Sequence, residues 1–240
     1  MRAFEKSNDE TIRPDMYVVC RIDGRNFSTL TRKIKLKPYD ESMANNMQST
    51  VKHLMDCGFP VCFGYTQSDE ISLLMDNTKI HSFAGKVRKY NSILAAEASS
   101  QMTLMMGLPI VFDCRIIQLP TGDHVFDYFA WRRSDSERNC LNMWTYYFLR
   151  KDGKSPTEAQ RIMEGKRQTW KHDLLFNRGV NFDTIPDWQK RGYGFRWMPV
   201  YKQAFNPIKN EPVVVLRRGI QEIVLPRTHG GLKVILSELV

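Results

Sequence analysis

Two acidic pairs stand out as groups that could do chemistry: Asp23 beside Gly24, and Asp69 beside Glu70 at the end of the run Thr66-Gln67-Ser68. Two or three carboxylates brought together offer hard oxygen ligands to Mg2+, which keeps several waters and is commonly shared with substrate phosphates. A pair of such ions can activate an attacking oxygen and neutralise the charge of a leaving pyrophosphate. A glycine next to the first carboxylate lets the backbone approach an ion or a phosphate. Taken singly, each pair reads more readily as turn punctuation. Cations suited to a triphosphate lie in two places: Lys33, Lys35 and Lys37 after the Asp-Gly turn, and Lys86, Arg88 and Lys89 further on. Lysine is a mobile point charge for phosphate oxygens, but it is also the ordinary residue of a solvated face. In the second half Arg132-Arg133, Lys166-Arg167, Lys190-Arg191 and Arg217-Arg218 interleave with Trp131, Trp170, Tyr193 and Trp197. That mixture suits an RNA backbone with bases to stack, although most of the aromatics read as core.

These residues make a site only if the fold gathers them. Tyr17–Ile22 predicts a strand that ends at Asp23-Gly24. Asp40 can cap a helix on which Met43, Met47, Val51, Leu54 and Met55 recur, with Gly58 placed to end it. Val61–Tyr65 and Ile71–Met75 predict a hairpin around residues 66–70. A longer helix from about Ser82 carries Phe83, Val87, Tyr90, Leu94, Ala98 and Met102 on one face, and Ile110–Leu119 predicts a fourth strand. The order β-α-β-β-α-β is that of a ferredoxin-like α+β sheet. In that topology the first and third strands are antiparallel neighbours at the centre. The end of the first then lies beside the start of the third, so Asp23 meets Asp69 and Glu70 at one sheet edge.

The second half reads as mostly helical, with small β elements. Asp127–Leu149 is rich in aromatics and arginines, Ser155-Pro156 is a strong helix start, and Lys166–Phe176 predicts a further helix. Gly192–Trp197 predicts a strand, and Val213–Leu216 with Ile220–Leu225 a hairpin joined across Arg218-Gly219. No flexible linker separates the halves. The expected organisation is a catalytic core over 1–122 and a basic half over 123–240 packed on it as one continuous unit.

Composition narrows the partners. The 240 residues include 35 Lys+Arg against 26 Asp+Glu, a formal net charge of +9. Residues 1–120 hold 15 basic and 13 acidic side chains, and 121–240 hold 20 and 13, so the surplus belongs to the second half. A surplus of this kind favours a polyanionic partner. No apolar run is long enough to span a membrane, and the N-terminus lacks the apolar core of a signal peptide. The five cysteines form no CxxC pair and read as buried thiols of a reducing cytoplasm.

With these residues in view the chain resembles the tRNA-His guanylyltransferase superfamily. Arg21-Ile22-Asp23-Gly24-Arg25-Asn26-Phe27 and Gly64-Tyr65-Thr66-Gln67-Ser68-Asp69-Glu70 are similar to its two signature blocks. Further similarity runs in register through Lys37-Pro38-Tyr39-Asp40, Phe83 to Lys89, Trp131 to Asp135, Glu164-Gly165, Lys171 to Phe176 and Lys190 to Trp197. The resemblance implies a polymerase-palm core that extends tRNA in the 3′-to-5′ direction. ATP activates a 5′-monophosphate, and the 3′-hydroxyl of an incoming nucleotide, usually GTP, displaces AMP. It implies two Mg2+ ions held by Asp23, Asp69 and the Gly24 carbonyl, with Glu70 an acidic neighbour needed for activity. Nucleotide contacts would come from Asp23, Gly24, Arg25, Asn26, Phe27, Ser28, Ser68 and Asp69, and phosphate contacts from Lys37, Lys86 and Lys89. Contacts to tRNA are expected from Arg132, Arg133, Asn139, Lys171, Lys190 and Arg191, in a cytoplasmic homo-tetramer. Eukaryotic relatives carry His-Ile-Asn-Asn where this chain has Glu137-Arg138-Asn139-Cys140. That departure makes the chain resemble the bacterial and archaeal-type branch, which repairs 5′-truncated tRNA against the opposite strand. Addition of a single guanylate to tRNA-His, a palm-type nucleotidyl cyclase or dinucleotide synthase, and a non-catalytic RNA-binding module are the alternatives.

Overall fold

The computed structural model describes residues 4, 9–27, 29–30, 38–79 and 82–240. Among them, β1 (Tyr17–Gly24), β2 (Val61–Gln67), β3 (Glu70–Met75) and β4 (Phe112–Leu119) form an antiparallel sheet with α1 (Glu41–Asp56) and α2 (Val87–Met106). The sheet has six strands in the order β4-β1-β3-β2-β5-β6, with β5 (Tyr193–Asn206) and β6 (Glu211–Ile223) added at the β2 edge. The α+β, ferredoxin-like reading of the first half therefore holds.

Strand alternation explains the layering. Val18, Cys20 and Ile22 of β1 point to one face, where Met47, Val51 and Leu54 of α1 and Tyr90, Leu94 and Ala98 of α2 cover them. Val19 points to the other face and packs with Val125, Phe126 and Phe129 of α3 (Gly122–Lys151) and with Leu232 and Leu236 of α7 (His229–Ser237). The C-terminal half of α3 leaves the sheet and builds a third cluster with α4 (Pro156–Met163), α5 (Gln168–Phe176) and the short α6 (Asp187–Arg191).

The ends of the elements follow their caps. The Asp40 side chain accepts the Met43 N–H at 2.9 Å to start α1. Ser155 and Glu158 form a reciprocal capping box at α4. Two expectations change. Phe83 and Ala84 adopt left-handed conformations (φ 54 and 52), so α2 starts at Val87 and Phe83 is exposed rather than on its buried face. The second-half hairpin does not turn at Arg218-Gly219. These residues pair with Pro199 and Met198 inside the ladder. The turn lies between Asn206 and Asn210, where Asn206 Oδ1 accepts the Ile208 and Lys209 N–H groups and Asn210 has φ 54. The five cysteines are free, with Cys20, Cys62 and Cys140 buried. Among the described residues no helix is long and apolar enough to cross a membrane.

Candidate active site

The topology brings the two acidic pairs together as expected. Asp23 stands opposite Glu70 across the β1–β3 ladder, and the Gly24 N–H donates to the Asp69 carbonyl at 3.1 Å. The β2–β3 turn is only two residues long, and Ser68 takes a left-handed conformation there (φ 51). A non-glycine residue held at positive φ stores strain, and such strain gathers at functional sites. The Ser68 hydroxyl donates to Asp69 Oδ1 at 3.0 Å and fixes that carboxylate. Burial pushes the Asp69 carboxyl above its ordinary range; Ser68 opposes the push, and the neighbouring charge of Asp23 adds to it.

Glu70 has a different role. It is buried, and Arg132 of α3 grips it side-on, donating from Nε to Oε1 at 2.7 Å and from Nη2 to Oε2 at 2.8 Å. Arg21 reaches the same carboxylate at 2.9 Å and Asp23 at 3.5 Å. Burial pushes the Glu70 carboxyl up, and the guanidinium groups of Arg132 and Arg21 oppose that push. The result is a chain of charges from α3 through Glu70 and Arg21 to Asp23. With both oxygens engaged by guanidinium groups, Glu70 holds Arg21 in place beside Asp23.

Among the described residues no three His, Cys, Asp or Glu side chains converge as a metal cluster. The donors on hand are the Asp23 and Asp69 carboxylates and the Gly24 carbonyl. They fit Mg2+: all are oxygens, the set is small enough to leave positions for water and phosphate, and the carboxylates repel each other until a cation joins them. At Gly24 a Cβ would be driven into the Phe27 ring, so only glycine keeps the backbone and ring this close.

A cleft of about 1540 Å3 opens from this edge, lined by Asp23, Asp69, Glu70, Thr66, Gln67 and Ser68 on the sheet side. Phe27 also lines it, although its ring is buried against Phe112 at 5.2 Å between centroids. Arg25 and Asn26 line a smaller pocket of about 380 Å3 with Pro109 and Val111. Lys86 donates to Asp9 at 2.7 Å, and neither it nor Lys89 lines the large cleft. Ser28 and Lys37 lie outside the described residues.

Four of the six residues expected to contact tRNA are buried and paired inside the protein. Arg132 is 4% exposed and committed to Glu70. Arg133 is 8% exposed and donates to the carbonyls of Pro226 and Thr228, tying α3 to the segment before α7. Lys190 is 2% exposed and donates to the Asp183 carbonyl at 2.7 Å. Arg191 is 4% exposed and pairs with Asp187. Paired charges are the ones that proteins bury, and no local pattern marks them in a sequence. Asn139 and Lys171 do line the cleft, and Lys171 donates to Asn142 at 2.8 Å.

The opposite wall holds residues the sequence reading did not select. Asn142, Met143, Tyr146, Tyr147 and Arg150 of α3 line the cleft in continuation of Arg132, Asp135 and Asn139. Their three- and four-residue spacing marks one face of a helix, a pattern the sequence carries without showing what that face meets.

The chain matches the family model described as tRNAHis guanylyltransferase over residues 1–120, and that described as Thg1 C terminal domain over residues 123–218. It is 30% identical over 208 residues to the tRNA(His) guanylyltransferase of Debaryomyces hansenii, covering 80% of this chain and 77% of that protein. A solved bacterial tRNA(HIS) guanylyltransferase (Thg1)-like protein in complex with GTP is similar with a TM-score of 0.72 and 27% identity, over 92% of this chain and 88% of that one. A complex of such a protein with ATP gives a TM-score of 0.72 and 28% identity, over 82% and 86%.

Proposed function

Because this chain belongs to the tRNA-His guanylyltransferase family, whose members are nucleotidyltransferases, we propose that it adds nucleotides, GTP by preference, to the 5′ end of tRNA in the 3′-to-5′ direction after ATP-dependent activation. Its task on this reading is template-dependent repair of 5′-truncated tRNA. The observation that carries it is the meeting of Asp23 and Asp69 at the mouth of a cleft too large for one nucleotide. Two bound Mg2+ ions would supply charge neutralisation and activation of the attacking hydroxyl. Asp23, Asp69 and the Gly24 carbonyl hold them, the Ser68 hydroxyl and Arg21 orient the two carboxylates, and residues 23–28 approach the nucleotide. Lys37, Lys86 and Lys89 are proposed for the phosphates, with Lys86 first giving up Asp9. Residues 1–122 carry the chemistry and 123–240 the RNA.

Repair is favoured over single guanylate addition by the stretch Glu137-Arg138-Asn139-Cys140. The position of the last asparagine of the eukaryotic motif is occupied by Cys140, which is fully buried and out of reach of RNA. Incubation with tRNA lacking its first nucleotide, labelled GTP, ATP and Mg2+ should restore the 5′ end, and Asp69→Ala should abolish it. Substrates shortened by several nucleotides, with matched and mismatched opposite strands, separate the two readings. Incorporation that follows the opposite base supports repair, and guanylate regardless of that base supports single addition.

The assembly proposed is a homo-tetramer. In its support, the outer part of the β5–β6 hairpin exposes Tyr201 (79%), Phe205 (59%), Val214 (67%) and Leu216 (56%), an apolar face that calls for cover by another copy. Light scattering that gives a monomer at working concentration would remove this part of the reading.

A further inference from the structure

The cleft has two ends of different chemistry. At the sheet edge Glu70 is matched by Arg21 and Arg132, and Asp135 by Arg132 and Arg138. Along α3 away from the sheet the lining becomes amide, aromatic and then basic: Asn142, Tyr146, Tyr147 and Arg150, with Lys171 from α5 facing in beside Asn142. Arg132 and Arg150 are separated by about 27 Å along the axis at 1.5 Å per residue. That is longer than one nucleoside triphosphate anchored at Asp23 and Asp69 can cover.

Tyr147 is held at a fixed angle by its neighbours, and Tyr146 packs partly buried against the cluster behind the wall. Tyr147 packs edge-on against Trp144 (6.1 Å) and Phe148 (5.4 Å), and Met143 beside it is 43% exposed. Arg150 is braced by donating to the Lys154 carbonyl at 2.7 Å, which leaves the rest of its guanidinium for a ligand. Glu164 and Asp40 are the acids among the described lining residues beyond the sheet edge and Asp135. Rigid aromatic rings alternating with amides and cations suit unpaired bases joined by phosphates, because every base presents a π-face and every link a negative charge.

We infer that this outer wall of α3, with Tyr146 and Tyr147 as stacking surfaces and Arg150 and Lys171 as phosphate contacts, binds the unpaired acceptor end of the RNA whose 5′ terminus lies at Asp23 and Asp69. The inference rests on the proposed function and deepens it, moving the RNA contacts from the buried pairs at 132–133 and 190–191 to a stripe that is half-buried at Tyr146, Tyr147 and Lys171 and exposed at Arg150.

The test measures binding of 5′-monophosphorylated tRNA by filter binding across a salt series, and of GTP by calorimetry, for the full chain and its variants. Tyr146→Ala should weaken tRNA binding about tenfold. Arg150→Ala and Lys171→Ala should each flatten the slope of log affinity against log salt by about 0.7. GTP affinity should stay at the parent value in all three. Tyr146→Phe keeps the ring and should bind tRNA like the parent, which separates a lost stack from a lost fold; Lys202→Ala, exposed on β5, should also bind as the parent does. Parental tRNA affinity and salt slope in the alanine variants would overturn the inference. So would a joint loss of GTP and tRNA binding in variants with parental melting curves, which would assign the wall to the nucleotide. If tRNA binding falls as expected while the parent incorporates no GTP, this inference stands and the proposed activity fails.

Discussion

At Glu70 one buried carboxylate is held by two guanidinium groups, and the consequences of removing either side differ. Arg132→Ala leaves the buried Glu70 with Arg21 alone and should cost up to about 3 kcal/mol in urea denaturation, the low end for a broken buried pair. Arg132→Lys keeps the charge but loses the side-on fork, so its loss should be smaller yet measurable. Asp69 should behave in the opposite way. Its carboxylate is pushed up by burial and repelled by Asp23, so Asp69→Asn removes a liability. Incorporation should fall to background while the melting temperature stays at or above that of the parent, the trade expected of a site strained for function. The thiols give a third test. Burial pushes Cys57 up to about 11, and Cys62 and Cys140 up to about 12. At pH 8 these groups are protonated, so native alkylation by iodoacetamide should be far slower than in the urea-unfolded chain. Equal rates would contradict that burial.

The elements report on local chemistry that was largely visible in the chain. The capping box at Ser155 was legible because a hydroxyl, a proline and a glutamate stand at fixed spacing; Ser155→Ala should cost about 0.5–2 kcal/mol. The hairpin was legible only in part. Its strands run 14 and 13 residues, and in their outer halves apolar residues such as Val213, Val214, Val215 and Leu216 occupy both the half-buried and the exposed face, so no apolar–polar alternation marked their length. Arg218-Gly219 looked like a turn for want of that pattern. The start of β5 depends on Gly192, whose φ of 71 and ψ of −158 belong to a region nearly restricted to glycine. A Cβ there would be driven into the Thr66 carbonyl, beside the β2–β3 turn that carries Asp69. Gly192→Ala should therefore lower the melting temperature and the activity together.

For the whole molecule, the charge surplus remains the best pointer to a polyanion, but its useful part is smaller than the count suggests. Arg132, Arg133, Lys190 and Arg191 are spent on internal carboxylates and carbonyls: Arg132 ties the second half to the first, and the other three tie the second half to itself. Arg133→Ala and Lys190→Ala should thus lower the melting temperature and leave the salt slope of tRNA binding as it is. A shallower slope in folded Arg133→Ala would return that residue to the RNA interface.

By itself the sequence determined the strand and helix order of the first half, and through it the meeting of Asp23 with Asp69. Periodicity, caps and turn residues act within a few positions of one another, and one topological rule joined the rest. Only the tertiary structure decided which charges face the solvent. A guanidinium looks the same in sequence whether it ends against Glu70 or against water, because burial is set by partners distant in the chain: Arg132 meets Glu70 across 62 residues, and Arg133 meets Pro226 across 93. The cleft wall along α3 was hidden for the same reason, since its face gained meaning only once the sheet edge stood opposite.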